Sequence, residues 1–351
     1  MIKTEFFNDF VDYYIKAKHL QEKNLGTSII NNVNDPLMDN ITIYDTVNRR
    51  HAGFSKILED IHGKRVRKDL QKLMNCTEMF SSHEFHFFHL LHRFTGSGAS
   101  FQPTFLPDGT RNPKEHGYHN SIIPKLIQCM AMDGIEGVKY AIVKNTEPMV
   151  TSTGNQPPSL KNGDPTKYRL AQQYYFDNFA EDFTKDYLTF LMNNEYKNNK
   201  PTGIKEAVDF SCAWHKQRGF KQWHFVLTAF VMDTAEYYPE LVDPTSHCYY
   251  GANCVRAFDL IFVKEKGDPK SKADFQEVCM TELCKAVSGN PYDVEDVCCD
   301  YIRYLAEYVP KGYEHLAPEQ TENNSTLKVY DDVGIKSYPN HVKDRINQVL
   351  G

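Results

Sequence analysis

The chain lacks the short motifs that mark most nucleotide-binding proteins. The phosphate-cradling loop GxxxxGK[ST] is absent. Gly96-Ser97-Gly98 follows a helical run rather than a strand and has no third glycine in register, so the dinucleotide pattern GxGxxG is missing too. Both absences speak against binding ATP or NAD in a familiar way. Positive charge is not in excess: the net charge is −6, so no global field draws the chain to nucleic acid or to an anionic membrane. A DNA ligand would need a local basic surface. The longest uncharged apolar stretch, residues 225–232, is too short to span a bilayer. The opening Met1-Ile2-Lys3-Thr4-Glu5 lacks the charged-then-apolar pattern of an export signal, which predicts a cytoplasmic protein with no membrane partner. No internal repeat is evident. The nine cysteines include no CxxC pair, although Cys279, Cys284, Cys298 and Cys299 cluster late in the chain. Buried reduced thiols are the favoured reading, and no metal site is expected.

Aromatic residues are plentiful, with 21 Tyr and 22 Phe, and 351 residues suffice for a proper core. Helical periodicity dominates. Phe6, Phe7, Phe10, Val11, Tyr14 and Ile15 recur three and four apart. Further helices are predicted over 53–73, 82–94, 120–132, 168–193, 204–217, 222–235, 252–262, 273–287 and 294–308. Residues 137–143 read as the clearest strand. The fold class is therefore predominantly α, a helical globular fold with few short strands. A single large helical domain over 1–338 is expected, with a flap or sub-boundary at the Pro/Gly/Ser/Asn-rich segment 151–166. The polar stretch 317–338 reads as an extended arm before a short C-terminal helix over 339–351.

Five groups of residues can carry chemistry. Thr95-Gly96-Ser97-Gly98-Ala99-Ser100 is a glycine-bracketed turn after a helix. With Arg93 beside it, it reads either as an anion cradle or as a plain helix-terminating turn. His116-Gly117-Tyr118-His119-Asn120 gathers imidazole, phenol and amide groups before a helix, suited to proton transfer or to orienting a base; the alternative is a capped helix start. The run His83, His86, His89 and His92 lies along one helical face, and its interleaved phenylalanines favour a packed, partly polar interface over metal ligation. Trp214, Lys216, Arg218 and Trp223 interleave aromatic and basic groups. They suit stacking on bases and contact with phosphates, or else core tryptophans beside a charged surface. Finally, Asp293, Asp296 and Asp300 share one helical face, where a carboxylate acts as a general base or the run is simply solvated.

Taken together, the segments Leu90-Leu91-His92-Arg93-Phe94-Thr95-Gly96-Ser97-Gly98-Ala99, His116-Gly117-Tyr118-His119-Asn120, Tyr250-Gly251-Ala252-Asn253 and Glu295-Asp296-Val297-Cys298 resemble the α-glutamyl/putrescinyl-thymine pyrophosphorylase families. These are helical, distantly DNA-glycosylase-like bacteriophage proteins that include amino acid:DNA transferases and the helical domain of 5-hydroxymethyluracil DNA kinases. The missing phosphate loop favours the stand-alone transferase. One departure is the stretch 102–115, which separates two segments that the family pattern sets closer. The resemblance implies a fold of the DNA-glycosylase type and a base flipped from double-stranded DNA carrying phosphorylated 5-hydroxymethyluracil. It also implies displacement of the phosphate or pyrophosphate by a free amino acid or polyamine donor. Such a modification would shield phage DNA from host restriction inside the host cytoplasm. No organic cofactor is implied, and help from a divalent metal stays open. Under this resemblance Arg93, Thr95, Gly96, Ser97 and Gly98 hold the leaving anion. His116, Tyr118, His119 and Asp296 serve the chemistry, while Asn120, Asn253, Trp214, Lys216, Arg218 and Trp223 contact the base or the DNA. A base-excising glycosylase-like hydrolase and a noncatalytic DNA-binding subunit of a modification complex are the competing readings.

Overall fold

A computed structural model describes residues 2–40, 44, 46–51, 58–59, 62–63, 82–95, 123–144, 173–220 and 224–307. The chain is predominantly helical. In chain order the named elements are α1 (Thr4–Asn24), α2 (Pro36–Asn40), a 3-10 turn (Arg49–His51), α3 (Ser82–Thr95), α4 (Ile123–Lys144), α5 (Ala180–Asn198), β1 (Thr202–Gly203), α6 (Ile204–Gln217), α7 (His224–Tyr237), β2 (Val242–Asp243), α8 (Ala252–Ile261), α9 (Lys272–Val287) and α10 (Pro291–Leu305). The described residues cluster into two compact units, a finer division than one helical domain over 1–338. One unit comprises those of Met1–Ala52 and His247–Gly351, the other those of Gly53–Pro103 and Asn112–Ser246.

In the first unit α1 buries Phe6, Phe10, Tyr13, Tyr14, Ala17 and Leu20, a stripe with the three-and-four spacing of an amphipathic helix. This stripe shares a core with Phe258, Leu260 and Ile261 of α8, Met280 and Leu283 of α9, and Val294, Val297, Cys298, Tyr301 and Leu305 of α10. Phe10 meets Tyr301 edge-on with ring centroids 5.4 Å apart, an arrangement that aligns ring edge and ring face. Pro291 sits in the first turn of α10, where its missing N–H costs nothing. The Ser271 side chain caps α9 by accepting from the Asp274 N–H.

The second unit is organised around α3 and α7. Phe85, Phe87, Phe88, Leu90 and Leu91 of α3 are all fully buried, as are His86, His89 and His92 between them. A helix buried on every side is a central one. The favoured reading of the histidine run as packed and partly polar therefore holds. α7 is likewise buried nearly all round, and α6 packs along it. β1 and β2 are two-residue parallel strands pairing Thr202 with Val242 and Gly203 with Asp243.

One sequence expectation is corrected. Residues 137–143 are not a strand but the second half of α4. A strand would have buried alternate residues, yet Tyr140 is 68% exposed while Ile135, Val138 and Ile142 are buried at helical spacing. The helix turns sharply at Gly134, whose φ of 63° lies in the left-handed region that glycine favours. The segments 64–73, 102–120, 151–166 and 317–351 lie outside the described residues, and with them the expected flap, the arm and the C-terminal helix.

Candidate functional site

The acidic run of α10 is not a solvated face. The apolar stripe of this helix turns to the core, and the remaining stripe carries Asp293 and Asp300, both buried, with half-buried Asp296 between them. A segment distant in sequence, residues 46–50, lies against this stripe and answers each carboxylate. The Arg49 backbone N–H donates to Asp293 Oδ1 at 2.9 Å. Its guanidinium, itself buried, pairs with Asp296. The Thr46 hydroxyl donates to Asp300, which also accepts from Arg303 Nη1 at 2.9 Å. The segment is held in register from its other side by α1: Gln21 Nε2 donates to the Asn48 carbonyl at 3.0 Å, and the Asn48 N–H donates to Gln21 Oε1 at 2.9 Å. Buried carboxylates persist because each is hydrogen-bonded or paired; left alone they would cost several kcal/mol.

On an adjoining side of α10 the N-terminus of α8 comes in. The Gly251 N–H donates to Glu295 Oε1 at 2.9 Å across 44 residues of sequence. One turn further along, Asn253 Nδ2 donates to Cys299 Sγ at 3.5 Å, while Asn253 Oδ1 accepts from Arg256 Nη1 at 2.5 Å. Arg256 is buried, so the amide of Asn253 is held at both ends with its orientation set. Upstream, His247 Nδ1 and the Tyr250 hydroxyl are hydrogen-bonded at 2.6 Å.

The electrostatics follow from burial. Glu295 is pushed up to about 7, first by loss of water and then by the neighbouring Asp296 charge, against the pull of the Gly251 N–H and of Arg49. Asp300 is raised to about 6, chiefly by burial, with Arg303 and the Thr46 hydroxyl opposing. Burial also raises the thiols of Cys248 and Cys254, and that of Cys299 to about 12, which keeps them protonated and poor nucleophiles. Among the described residues no group of three or more His, Cys, Asp or Glu is arranged to hold a metal ion. Among the described residues Glu295, half-buried and fixed in place by a backbone donor, is suited to exchange a proton at neutral pH.

The residues singled out from sequence divide between the two units. Asn253 and Asp296 belong to the first, and each is already engaged, Asn253 by Arg256 and Asp296 by Arg49. Arg93 belongs to the second and is turned inward. Its guanidinium pairs with Asp233, which is 1% exposed and lies 2.7 Å from His89 Nε2. Thr95 ends α3, and Gly96, Ser97 and Gly98 lie outside the described residues, as do His116, Tyr118, His119, Asn120 and Trp223. Trp214 is a core residue: its Nε1 donates to Asp186 Oδ2 at 2.8 Å. The Arg218 guanidinium lies 3.5 Å from the centroid of its ring, so the indole has no open face for a base. Lys216 and Arg218 themselves are exposed. The sequence does not mark Glu295 as a proton carrier, because nothing in local spacing distinguishes it from the three aspartates around it. Among the described residues no helix is long and apolar enough to cross a membrane. The chain matches no family model, no curated protein and no solved structure.

Proposed function

We propose that the chain is a DNA-modifying transferase that replaces the phosphate or pyrophosphate of phosphorylated 5-hydroxymethyluracil with an amino acid or amine, with Glu295 as the group that accepts the donor's proton. The observation that carries this reading is the bond from the Gly251 N–H to Glu295. It joins two of the four segments on which the family resemblance rests, and it holds a carboxylate with a proton affinity matched to neutral pH. In the reaction the donor nitrogen attacks the methylene carbon on the pyrimidine. A C–N bond forms, and the C–O bond to the phosphate breaks with its electron pair leaving on the phosphate. The proton released from the nitrogen passes to Glu295. Asp296, tied to Arg49, serves to keep the charge near Glu295 negative and to raise its basicity.

The test incubates duplex DNA carrying phosphorylated 5-hydroxymethyluracil with the protein and a pool of amino acids and polyamines, followed by nucleoside mass spectrometry. A nucleoside heavier than 5-hydroxymethyldeoxyuridine by one donor residue is expected. Glu295→Gln should lower its rate of formation by about 10²- to 10⁴-fold. Abasic DNA would replace this reading with the glycosylase, and unchanged DNA that the protein still binds would replace it with a binding subunit.

A further inference from the structure

The identity of residue 251 is explained by neither backbone geometry nor helix capping. Gly251 has φ −69° and ψ 166°, an extended conformation open to every L-amino acid, and as N-cap of α8 it offers no side chain to the helix. What distinguishes the position is the space beside it. A Cβ on residue 251 would stand 2.9 Å from Glu295 Oε1, closer than real Cβ contacts come. The same oxygen is the one that accepts from the residue's own N–H.

We infer that Gly251 is a positioning residue for the proposed reaction: the missing side chain lets its N–H reach Glu295 and hold that carboxylate in a single orientation. The inference rests on Glu295 being the proton acceptor only for its catalytic consequence; the positioning itself can be tested without turnover. A methyl group at 251 leaves the backbone unstrained, and the atom it strikes is the far end of a flexible side chain. The carboxylate therefore swings off the N–H while the fold stays in place. The carbonyl of Gly251 accepts from the Val255 N–H at 3.0 Å, so the first turn of α8 stays anchored.

Among the described residues, charged and titratable groups facing Glu295 are Asp296, Asp300 and Cys299 on α10, Arg49 on the 46–51 segment, and Cys248 and Cys254 on the approach to and start of α8. Of these only Arg49, together with the Gly251 N–H, favours the ionised form of Glu295; burial and the two aspartates oppose it. Removing the N–H tips this balance one way: the proton is held more tightly and the base is ionised only at higher pH. The N-terminal end of the α8 dipole acts in the same sense as the lost hydrogen bond.

The experiment is a carboxyl titration by ¹³C NMR of glutamate-labelled protein, with the Glu295 resonance identified by its loss in Glu295→Gln. In Gly251→Ala the Glu295 midpoint should rise by about half to one pH unit. Where transferase turnover is seen, the acidic limb of the kcat/KM profile should rise by the same amount and activity should recover at alkaline pH. Loss of stability alone would lower turnover without moving that limb. A second measurement needs no variant at position 251. With glycine-selective ¹⁵N labelling, the Gly251 amide resonance of the parent protein should titrate with the Glu295 midpoint and stop doing so in Glu295→Gln. An amide insensitive to that titration, or an unmoved Glu295 midpoint in folded Gly251→Ala, would overturn the inference. A shifted midpoint with no new nucleoside from either protein would uphold the positioning and sink the transferase reading.

Discussion

The two units bury charge in opposite ways. In the first, carboxylates of α10 are met by a backbone N–H, a threonine hydroxyl and two arginines, and burial raises Glu295 and Asp300 toward neutrality. In the second, imidazoles are buried. His86, His89 and His92 are fully buried in α3, and His215 is depressed to about 4, chiefly by burial. Its Nδ1–H donates to the Ser211 carbonyl at 2.7 Å and its Nε2 accepts from the Tyr175 hydroxyl at 2.7 Å, so the neutral ring is fully used as a structural connector. The comparison teaches that burial moves the two kinds of group in opposite directions. The His215 imidazole is held neutral inside a core, and Glu295 and Asp300 are the carboxylates raised toward the neutral range.

The sharpest way to break the comparison is at Asp233, the one buried carboxylate among the described residues of the second unit. Asp233→Ala removes the buried carboxylate that pairs with Arg93 and meets His89, and urea denaturation should record a loss of about 3–5 kcal/mol. A loss below about 1 kcal/mol would mean that aromatic packing alone joins α3 to α7. Next comes Arg49→Met, which leaves Asp296 without its cation. Because Asp296 is partly exposed, the expected loss is smaller, about 1–3 kcal/mol in the same assay. It should also raise the Glu295 midpoint, since Arg49 favours the ionised carboxylate.

The pH dependence of stability should differ in sign between the units. Asp300 rises from 3.8 to about 6 on folding, so between those values the folded state binds more protons than the unfolded one. Its contribution falls as pH rises through that window and is recovered on acidification from pH 7 to 5. His215 falls from 6.5 to about 4, so the unfolded state binds more protons, and its contribution is lost as pH drops below 6.5. Each shift corresponds to about 3 kcal/mol at full extent. Denaturation at pH 7.5 and 5 should show that Asp300→Asn removes a gain on acidification and that His215→Asn removes a loss. Equal slopes in the two variants would erase the contrast. The smallest effect belongs to the surface: Lys216→Ala should change stability by less than about 0.5 kcal/mol. If DNA docks there, the salt slope of binding should fall by about one.

The helices were legible because their apolar spacing is strong. The predicted 204–217 coincides with α6, and 82–94 and 252–262 fall within a residue of α3 and α8. The segment 137–143 reads as a strand because Val138, Tyr140, Ile142 and Val143 favour strands by composition. Only the exposure of Tyr140 against the burial of Val138 and Ile142 reveals the helical period. Trp214 was read both as a core residue and as a stacking surface; the hydrogen bond to Asp186 and the overlying Arg218 decide for the core. Arg93 looked free to meet an anion because its partner Asp233 lies 140 residues away in sequence.

The sequence by itself determined that this chain is predominantly helical, since periodic burial of apolar side chains is a local property written every three to four residues. Only the tertiary structure decided which acidic side chain stands near neutrality. A carboxylate's proton affinity depends on the water it loses and the charges it faces: burial and the Asp296 charge raise Glu295, while a glycine N–H at the start of another helix and an arginine from the distant 46–51 segment oppose them.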